Sequence, residues 1–547
     1  STYGRRPVPG LYRWAWVFPL AVSPKPPHAL YTGSQYLLRS LDEGASWEKA
    51  SPDLSGADPN ARGCDGEVTL ENARPCGFGV IFTIALSPLD PQEIWIGTDD
   101  GLVQLTRDGG KTWKNVTPKN LSAWSKISTI DVSSLEPGVA YAAVDAHRRD
   151  DFTQRAYRTR DYGGSWQEIS AGLPNPGFTM AVRSDPVRKG LLYAGTDTGV
   201  SVSFDDGGHW QSLQSNLPTC WVGDLKVKGA DLVIATQGRG LWVLDDVTPL
   251  RQITAATAGT PARLFPHDSA IRLRANMNRD TPLPPETPVG KNPPAGAVID
   301  YVLGRKAASV KLEVLDERGE IVRAFSSDDP PEKLEVRRYF TDLYLHPPPP
   351  PSVEAGHHRF RWDLRYPRPK ADHYEYSIAA VSGEDTPIEP RGPLALPGRY
   401  TVRLTVDGER QEQPLSLTLD PRVSAAPAVL AERFAFERQV VSAMGESWDA
   451  LQRVRALRKD LAARKEHASG AAADALRDAD IPAKRIETGE GRRGGLAGIN
   501  SLLGAILIAV DGADAAPTTI QRQAYARARA DLDRLLADWK GLPGALN

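Results

Sequence analysis

Between residues 78 and 117 the chain falls into short apolar runs separated by turn-forming residues. The runs are 80–87, 93–98, 102–106 and 112–116. Between them stand Pro88-Leu89-Asp90-Pro91, Asp99-Asp100-Gly101 and Asp108-Gly109-Gly110. Short runs rich in Val, Ile, Leu, Tyr and Trp, with no sustained helical period, predict strands. Four antiparallel strands in a module of this size describe one blade of a β-propeller. The same parsing places blades near 15–50, 125–170, 177–215 and 222–247, about five in residues 1–250. A lone blade cannot bury both faces, so the array either closes on itself or receives further blades. The second is expected, because the chain begins abruptly in blade-like sequence.

The polar punctuation is itself repeated. Ser/Thr-x-Asp-x-Gly-x-(Ser/Thr/His)-Trp occurs with Asp42 and Trp47, Asp108 and Trp113, Asp161 and Trp166, and Asp205 and Trp210. The tryptophans are 66, 53 and 44 residues apart, a module of roughly 45 residues with insertions in two copies. A short turn between strands needs a residue that tolerates positive φ, supplied by Gly44, by Gly110 or Gly109, by Gly163 and by Gly207. The Asp carboxylate and the Ser/Thr hydroxyl can accept backbone N–H groups across such a turn. Trp then offers a large apolar body where neighbouring sheets meet. The box is expected to be structural.

Beyond residue 250 the pattern changes twice. Residues 251–290 carry Pro, Thr and Arg with little periodicity and read as a linker. In 291–423, strand signals return at 298–303, 310–315, 321–325, 359–364, 400–406 and 415–419. They predict an immunoglobulin- or fibronectin-like β-sandwich, interrupted by an insertion containing Pro347 to Pro351. In 424–547, Leu430, Phe434, Val441, Met444, Leu451, Val454, Leu457 and Leu461 recur at helical spacing. With 500–510 and 518–539 they predict a helical hairpin or small bundle. The fold class is therefore mainly β, with propeller blades, a sandwich and a C-terminal helical domain.

Composition narrows the partners. The 547 residues are 41% hydrophobic and 24% charged with a net charge of −2, which gives no electrostatic case for nucleic acid. The longest apolar run, 502–510, is too short to span a bilayer. Ser1 and the absence of a signal-like segment suggest a processed chain or a fragment. Cys64 and Cys76 bracket a polar insertion in the first long interval between boxes. They are either a disulfide closing that loop in an oxidising compartment or two separate buried thiols. Cys220 reads as core. Neither a metal nor a cofactor is expected, since no His or Cys stands at short ligand spacing near the pair.

Strand direction locates a candidate site. In a four-stranded meander, the turn between strands two and three lies on the rim opposite the turn between strands three and four. The boxes occupy the latter. The other rim gathers Gln35, Asp99, Asp100, Asp145, the insertion His147-Arg148-Arg149-Asp150-Asp151, Asp197, Gln237 and Arg239. Connections 119–124, 175–178 and 219–221 end there too. Convergent carboxylates, arginines and aromatics at a propeller mouth make a default binding site. Asp beside Gly is also ordinary turn chemistry, and 147–151 can equally be a solvated charged loop. Arg239, between Gly238 and Gly240, is harder to explain as a turn alone.

With these motifs in hand, the first 250 residues resemble the Asp-box propellers: sialidases, sortilin and bacterial neuraminidase-repeat proteins. The whole chain resembles the C-terminal part of large bacterial sortilin-like repeat proteins, often labelled glycosyl hydrolases. The matching segments are Ser51-Pro52-Asp53-Leu54, Gly97 to Gly101, Gln237 to Asp246, Asn292 to Gly296, Arg359 to Arg365 and Pro397 to Tyr400. The resemblance implies further blades ahead of residue 1 and an exported, periplasmic or secreted protein. One departure is that the relatives' Thr-His-Gly-Arg stands here as Thr236-Gln237-Gly238-Arg239. An acid/base role for that His would be lost. Two functions follow. One is a module binding a protein, peptide or glycan. The other is a glycoside hydrolase drawing paired carboxylates from Asp99, Asp145, Asp150 and Asp197. A sialidase's three-arginine clamp cannot be assembled here, and binding is the preferred reading.

Overall fold

Each set of alternating runs becomes a separate antiparallel meander. In the computed structural model the described chain is residues 1–547 without 1–6, 9, 59, 62–63, 65, 255–259, 268, 275–286, 288–289, 291–294, 331, 333–346, 376–387, 491–492 and 546–547. It divides into two compact units, Ser1–Thr254 and Ala255–Asn547.

Among its described residues the first unit holds five blades. Blade 1 is Leu20–Val22, Leu30–Gly33, Leu37–Ser40 and Glu48–Lys49. Blade 2 is Ile81–Leu86, Ile94–Thr98, Val103–Thr106 and Lys114–Asn115. Blade 3 is Lys126–Val132, Ala140–Asp145, Arg155–Thr159 and Gln167–Glu168, and blade 4 is Thr179–Ser184, Leu192–Thr196, Val200–Ser203 and Gln211–Ser212. Blade 5 has three strands, Val222–Lys228, Asp231–Thr236 and Leu241–Leu244. The first strands of blades 2 to 5 pack on one another in succession, as the inner strands of a propeller do.

Period-two alternation explains the layering. Ala140, Ala142 and Val144 join Trp95, Ile127 and Tyr157 in the layer between blades 2 and 3. Tyr141 and Ala143, from the opposite face of the same strand, join Val182, Leu192 and Trp210 between blades 3 and 4. Such a strand is buried on both faces and reads as a continuous apolar run. Each buried Leu, Ile or Val contributes about 1.5–3 kcal/mol over leaving it exposed. Close approach is set by glycine in the second strand. A Cβ at Gly97 would lie 2.5 Å from Ile127, and one at Gly195 would lie 2.7 Å from Val222. The array's two ends are different: Leu20 and Val22 of blade 1 are 65% and 57% exposed, and Leu241 and Val243 of blade 5 are 75% and 50% exposed.

In the second unit a three-stranded sheet (Ala262–Leu264, Ala297–Leu303, Gly356–Trp362) and a five-stranded sheet enclose one core. The larger sheet runs Ala270–Arg272, Glu409–Leu419, Gly398–Val406, Val310–Leu315, Ile321–Ser326. The linker reading of 251–290 therefore needs correction: 262–264 and 270–272 are sandwich strands. They are three residues long and pair with segments up to about 150 positions away, as in Leu264 N–H to Gln411 Oε1, so no local period marks them. Most of 275–289 lies outside the described residues, as do Asn292 to Pro294.

Among the described residues four helices follow: Pro427–Glu466, Ala471–Thr488, Leu496–Asp511 and Thr519–Ala545. Leu430, Met444, Leu451, Val454 and Leu461 are buried, whereas Phe434, Val441 and Leu457 are only half-buried. The helix at 471–488 has no counterpart in the sequence reading. Its Ala-rich, charged surface buries only Ala483 and Ile486, too few positions to display a stripe. No helix of the described residues is long and apolar enough to cross a membrane.

Candidate functional site: the rim opposite the Asp boxes

The boxes identify the structural rim by their bonding. Asp42 Oδ1 accepts Ser46 N–H at 2.8 Å, its Oδ2 accepts the Ser46 hydroxyl at 2.6 Å, and the Ser40 hydroxyl donates to Oδ1 at 2.7 Å. Asp108 with Thr112 and Thr106, Asp161 with Ser165 and Thr159, and Asp205 with His209 and Ser203 repeat the set. These bonds hold Asp42 and Asp108 at about 2, the Ser46 and Thr112 hydroxyls first among them. Each turn has two successive positive φ values rather than one. The first falls on Glu43, Gly109, Tyr162 and Asp206 and the second on Gly44, Gly110, Gly163 and Gly207. The boxes also join blades: Trp166 Nε1 donates to Val116 O and Trp210 Nε1 to Ile169 O, both at 2.6 Å across a blade boundary. Trp47, in the first blade, is 41% exposed.

On the opposite rim the turns between strands two and three of blades 2, 4 and 5 are bonded to the entries of their own blades. Asp99 N–H reaches Val80 O, Asp197 N–H reaches Phe178 O, and Gln237 N–H reaches Trp221 O. The side chains are committed as well. Asp99 Oδ1 accepts Val80 N–H at 2.7 Å, and Asp99 is half-buried. Burial, with Asp100 adding to it, pushes its carboxyl up to about 6 against the pull of Val80 N–H and Arg148. Asp100 is buried and binds Arg74 Nε at 2.9 Å and Gly56 N–H at 2.8 Å.

Asp145 is clasped between Lys126 Nζ at 2.6 Å and His147 Nδ1 at 2.5 Å. Burial opposes its charge, but Lys126 and His147 outweigh that and hold the carboxyl below its usual range. His147 stacks on Phe178 with centroids 4.5 Å apart, and Phe178 meets Trp221 edge-on at 5.2 Å. Asp197 Oδ1 accepts Gln154 Nε2 and Phe178 N–H, each at 3.2 Å.

The remaining candidates divide. Gln35 is buried and holds the segment before blade 1, accepting Arg13 N–H at 2.8 Å and donating to Leu11 O at 3.1 Å. Arg148 and Asp150 are exposed on the 147–149 turn, and Asp150 has φ 54°. Gln237 and Arg239 are exposed on blade 5, with Gly238 and Gly240 at φ 82° and 71°. The rim thus brings Asp99 within electrostatic range of Arg148 and joins Asp145, His147, Phe178 and Trp221. Gln35 belongs instead to the anchoring of the N-terminal segment.

Sequence reasoning passed over one part of the rim. The connection from blade 1 to blade 2 carries the Cys64–Cys76 disulfide, with Cα atoms 5.1 Å apart. With Trp124 it forms an open cavity of about 450 Å³ lined by Val68, Leu70, Ala73 and Phe78, with Glu67 and Thr69 supplying polar atoms. Trp124 has φ 65° and is fixed there by N–H to Asp100 O and by Nε1 to Leu70 O, both 2.9 Å. A bulky residue with φ > 0 is a costly conformation, held only where its surroundings impose it. The length of the interval between the first two boxes was the available signal. Among the described residues no group of His, Cys, Asp and Glu could hold a metal ion.

No protein-family model and no curated protein matches the chain. Several solved structures do so weakly. A GH74 xyloglucanase from Xanthomonas campestris is 16% identical, with a TM-score of 0.33, over 74% of this chain and 80% of its own. A GH74 enzyme from Niastella koreensis is 15% identical, with a TM-score of 0.31, over 72% of this chain and 56% of its own. YCF48 bound to D1 peptide is 18% identical, with a TM-score of 0.25, over 30% of this chain. The chain spans about half the length of that YCF48 structure, 51%. These neighbours include β-propeller proteins, and at such TM-scores they carry no inference about ligand or reaction.

Proposed function

We propose that this chain is an exported Asp-box propeller protein, sortilin-like in kind, that binds a protein, peptide or glycan on the rim opposite its boxes. The observation that carries this reading is how the rim carboxylates are used. Asp145 has both oxygens engaged, by Lys126 and His147, while Asp99 commits Oδ1 to Val80 N–H and Asp197 commits Oδ1 to Gln154 and Phe178 N–H. A glycosidase needs two carboxyl groups about 5–10 Å apart and free to face a sugar. Exposed Arg148 and Arg239, the His147–Phe178–Trp221 cluster and the Trp124 cavity are instead recognition chemistry. The Cys64–Cys76 disulfide suits an oxidising compartment. Further blades of the same antiparallel kind, carried on additional polypeptide, would cover the apolar faces at Leu20, Val22, Leu241 and Val243.

The hydrolase alternative has one favourable observation: Asp99, raised to about 6, is a carboxyl poised as a general acid, with Asp150 exposed as a possible base. The full chain should be assayed for reducing-end release from a polysaccharide panel and for binding to arrays of peptides and glycans. Binding that is weakened at least tenfold by Arg148→Ala with Arg239→Ala, without any turnover, is the expected result. Turnover abolished by Asp99→Asn would overturn it.

A further inference from the structure

Five arginines meet where the sandwich adjoins the helices of the second unit, and their hydrogen-bonding capacity is not exhausted there. Asp514 Oδ1 is approached by Arg272 Nη1 at 2.8 Å, Arg274 Nε at 2.9 Å and Arg433 Nη1 at 3.3 Å. Asp511, at the end of helix Leu496–Asp511, takes Arg365 Nη1 at 3.0 Å and Arg391 Nη2 at 3.5 Å. Arg274 also donates to the carbonyl of Asp511, at the negative end of that helix, and Arg433 to that of Ala513 just beyond it.

Arg272 and Arg433 are fully buried. Even so, Arg272 Nη2, Arg274 Nη2, and Nε and Nη2 of Arg433 make no hydrogen bond among the described residues. Glu437 is fully buried too, with neither oxygen hydrogen-bonded among the described residues and Arg433 Nε 3.7 Å from Oε1. Burial and Asp511 push Glu437 up to about 8, so it is neutral at pH 7. Among the described residues, the guanidinium groups of Arg272, Arg274, Arg365 and Arg433 then outnumber their carboxylate partners Asp511 and Asp514.

Buried polar groups require partners, and buried charge requires compensation. Water would meet the first need and leave the second. A small anion meets both, since three guanidinium groups already converge around Asp514. We propose that this arginine cluster is a binding site for a small inorganic anion, chloride or a tetrahedral oxyanion, held by Arg272, Arg274 and Arg433. It is distinct from the propeller rim and independent of any function there.

The test is thermal unfolding of the full chain after dialysis into sodium MES, with chloride or phosphate replacing MES at constant ionic strength. A ligand bound only by the native state raises the midpoint with the logarithm of its concentration. The expected result is such a rise in the second unit's transition, weakening as pH passes about 8 and absent in Arg433→Met. The larger response identifies the halide or the oxyanion. A midpoint indifferent to anion identity would overturn the proposal and leave water in the cluster. Should Arg433→Met fail to fold, crystals of the natural chain grown in bromide decide it. Anomalous density beside Arg272 and Arg433, or tetrahedral density there in crystals grown in phosphate, supports the site, and the absence of both refutes it.

Discussion

Asp108 shows how much one side chain does in this propeller. Its two oxygens receive the Thr112 N–H, the Thr112 hydroxyl and the Thr106 hydroxyl, while Thr106 Oγ1 accepts Gly110 N–H at 2.9 Å. Asp108→Ala removes all three acceptances and frees a turn whose backbone is left-handed at two positions. The first unit's melting temperature should fall by several degrees, measured by calorimetry. Asp42 and Asp108 lie near 2 in the folded chain, below the ordinary carboxyl value. Their contribution is therefore complete above about pH 4 and is lost as pH falls toward 2, so acid unfolding should start later in Asp108→Asn relative to its own neutral-pH stability. An equal acid response in Asp108→Asn and the unsubstituted chain would contradict this account.

At the level of elements, Glu437 is placed by helix Pro427–Glu466 against Arg272, Arg274 and Arg365 from the sandwich side, with Arg433 one turn before it and Asp511 across from it. Its folded value of about 8 stands above an ordinary Glu. A raised acid favours the protonated native state, so its contribution is full below the unfolded value and declines as pH rises through about 8. Glu437→Gln should keep the second unit's melting temperature flat between pH 6 and 9 while the natural chain loses stability. Parallel pH profiles would refute that placement of the charge. The sequence displayed the helix that carries Glu437 but not its neighbours. Arg272 lies in a three-residue strand paired with Glu409–Leu419, and Asp514 follows another helix, so no spacing links them.

Over the whole molecule, the propeller's interior blades are covered on both faces and its end blades are not. Exposed aliphatic faces of this kind promote association. Leu241→Lys with Val243→Lys, on the outward face of blade 5, should leave the circular dichroism spectrum unchanged. The double variant should reduce self-association of the chain in sedimentation velocity. An unchanged sedimentation profile would mean that this face is not adhesive.

What the sequence by itself determined was everything governed by local period and turn chemistry. Apolar alternation announced the four strands of blade 2 to within about two residues at each end, because a strand's burial pattern is written along its own length. The four boxes announced their turns, because Asp, Gly and Ser/Thr act within six residues of one another. The candidate rim followed from strand direction alone. Only the tertiary structure decided which rim residues are occupied. Asp145 is bound by Lys126, Asp100 by Arg74 and Asp197 by Gln154, from 19, 26 and 43 residues away. It also decided that Gln35 anchors an N-terminal segment, that the disulfide-bearing connection builds a cavity against Trp124, and that five distant arginines share one buried cluster. The physical reason is the same in each case. A charge or hydrogen-bond donor is paired through space, and no period along the chain records which partner burial will bring to it.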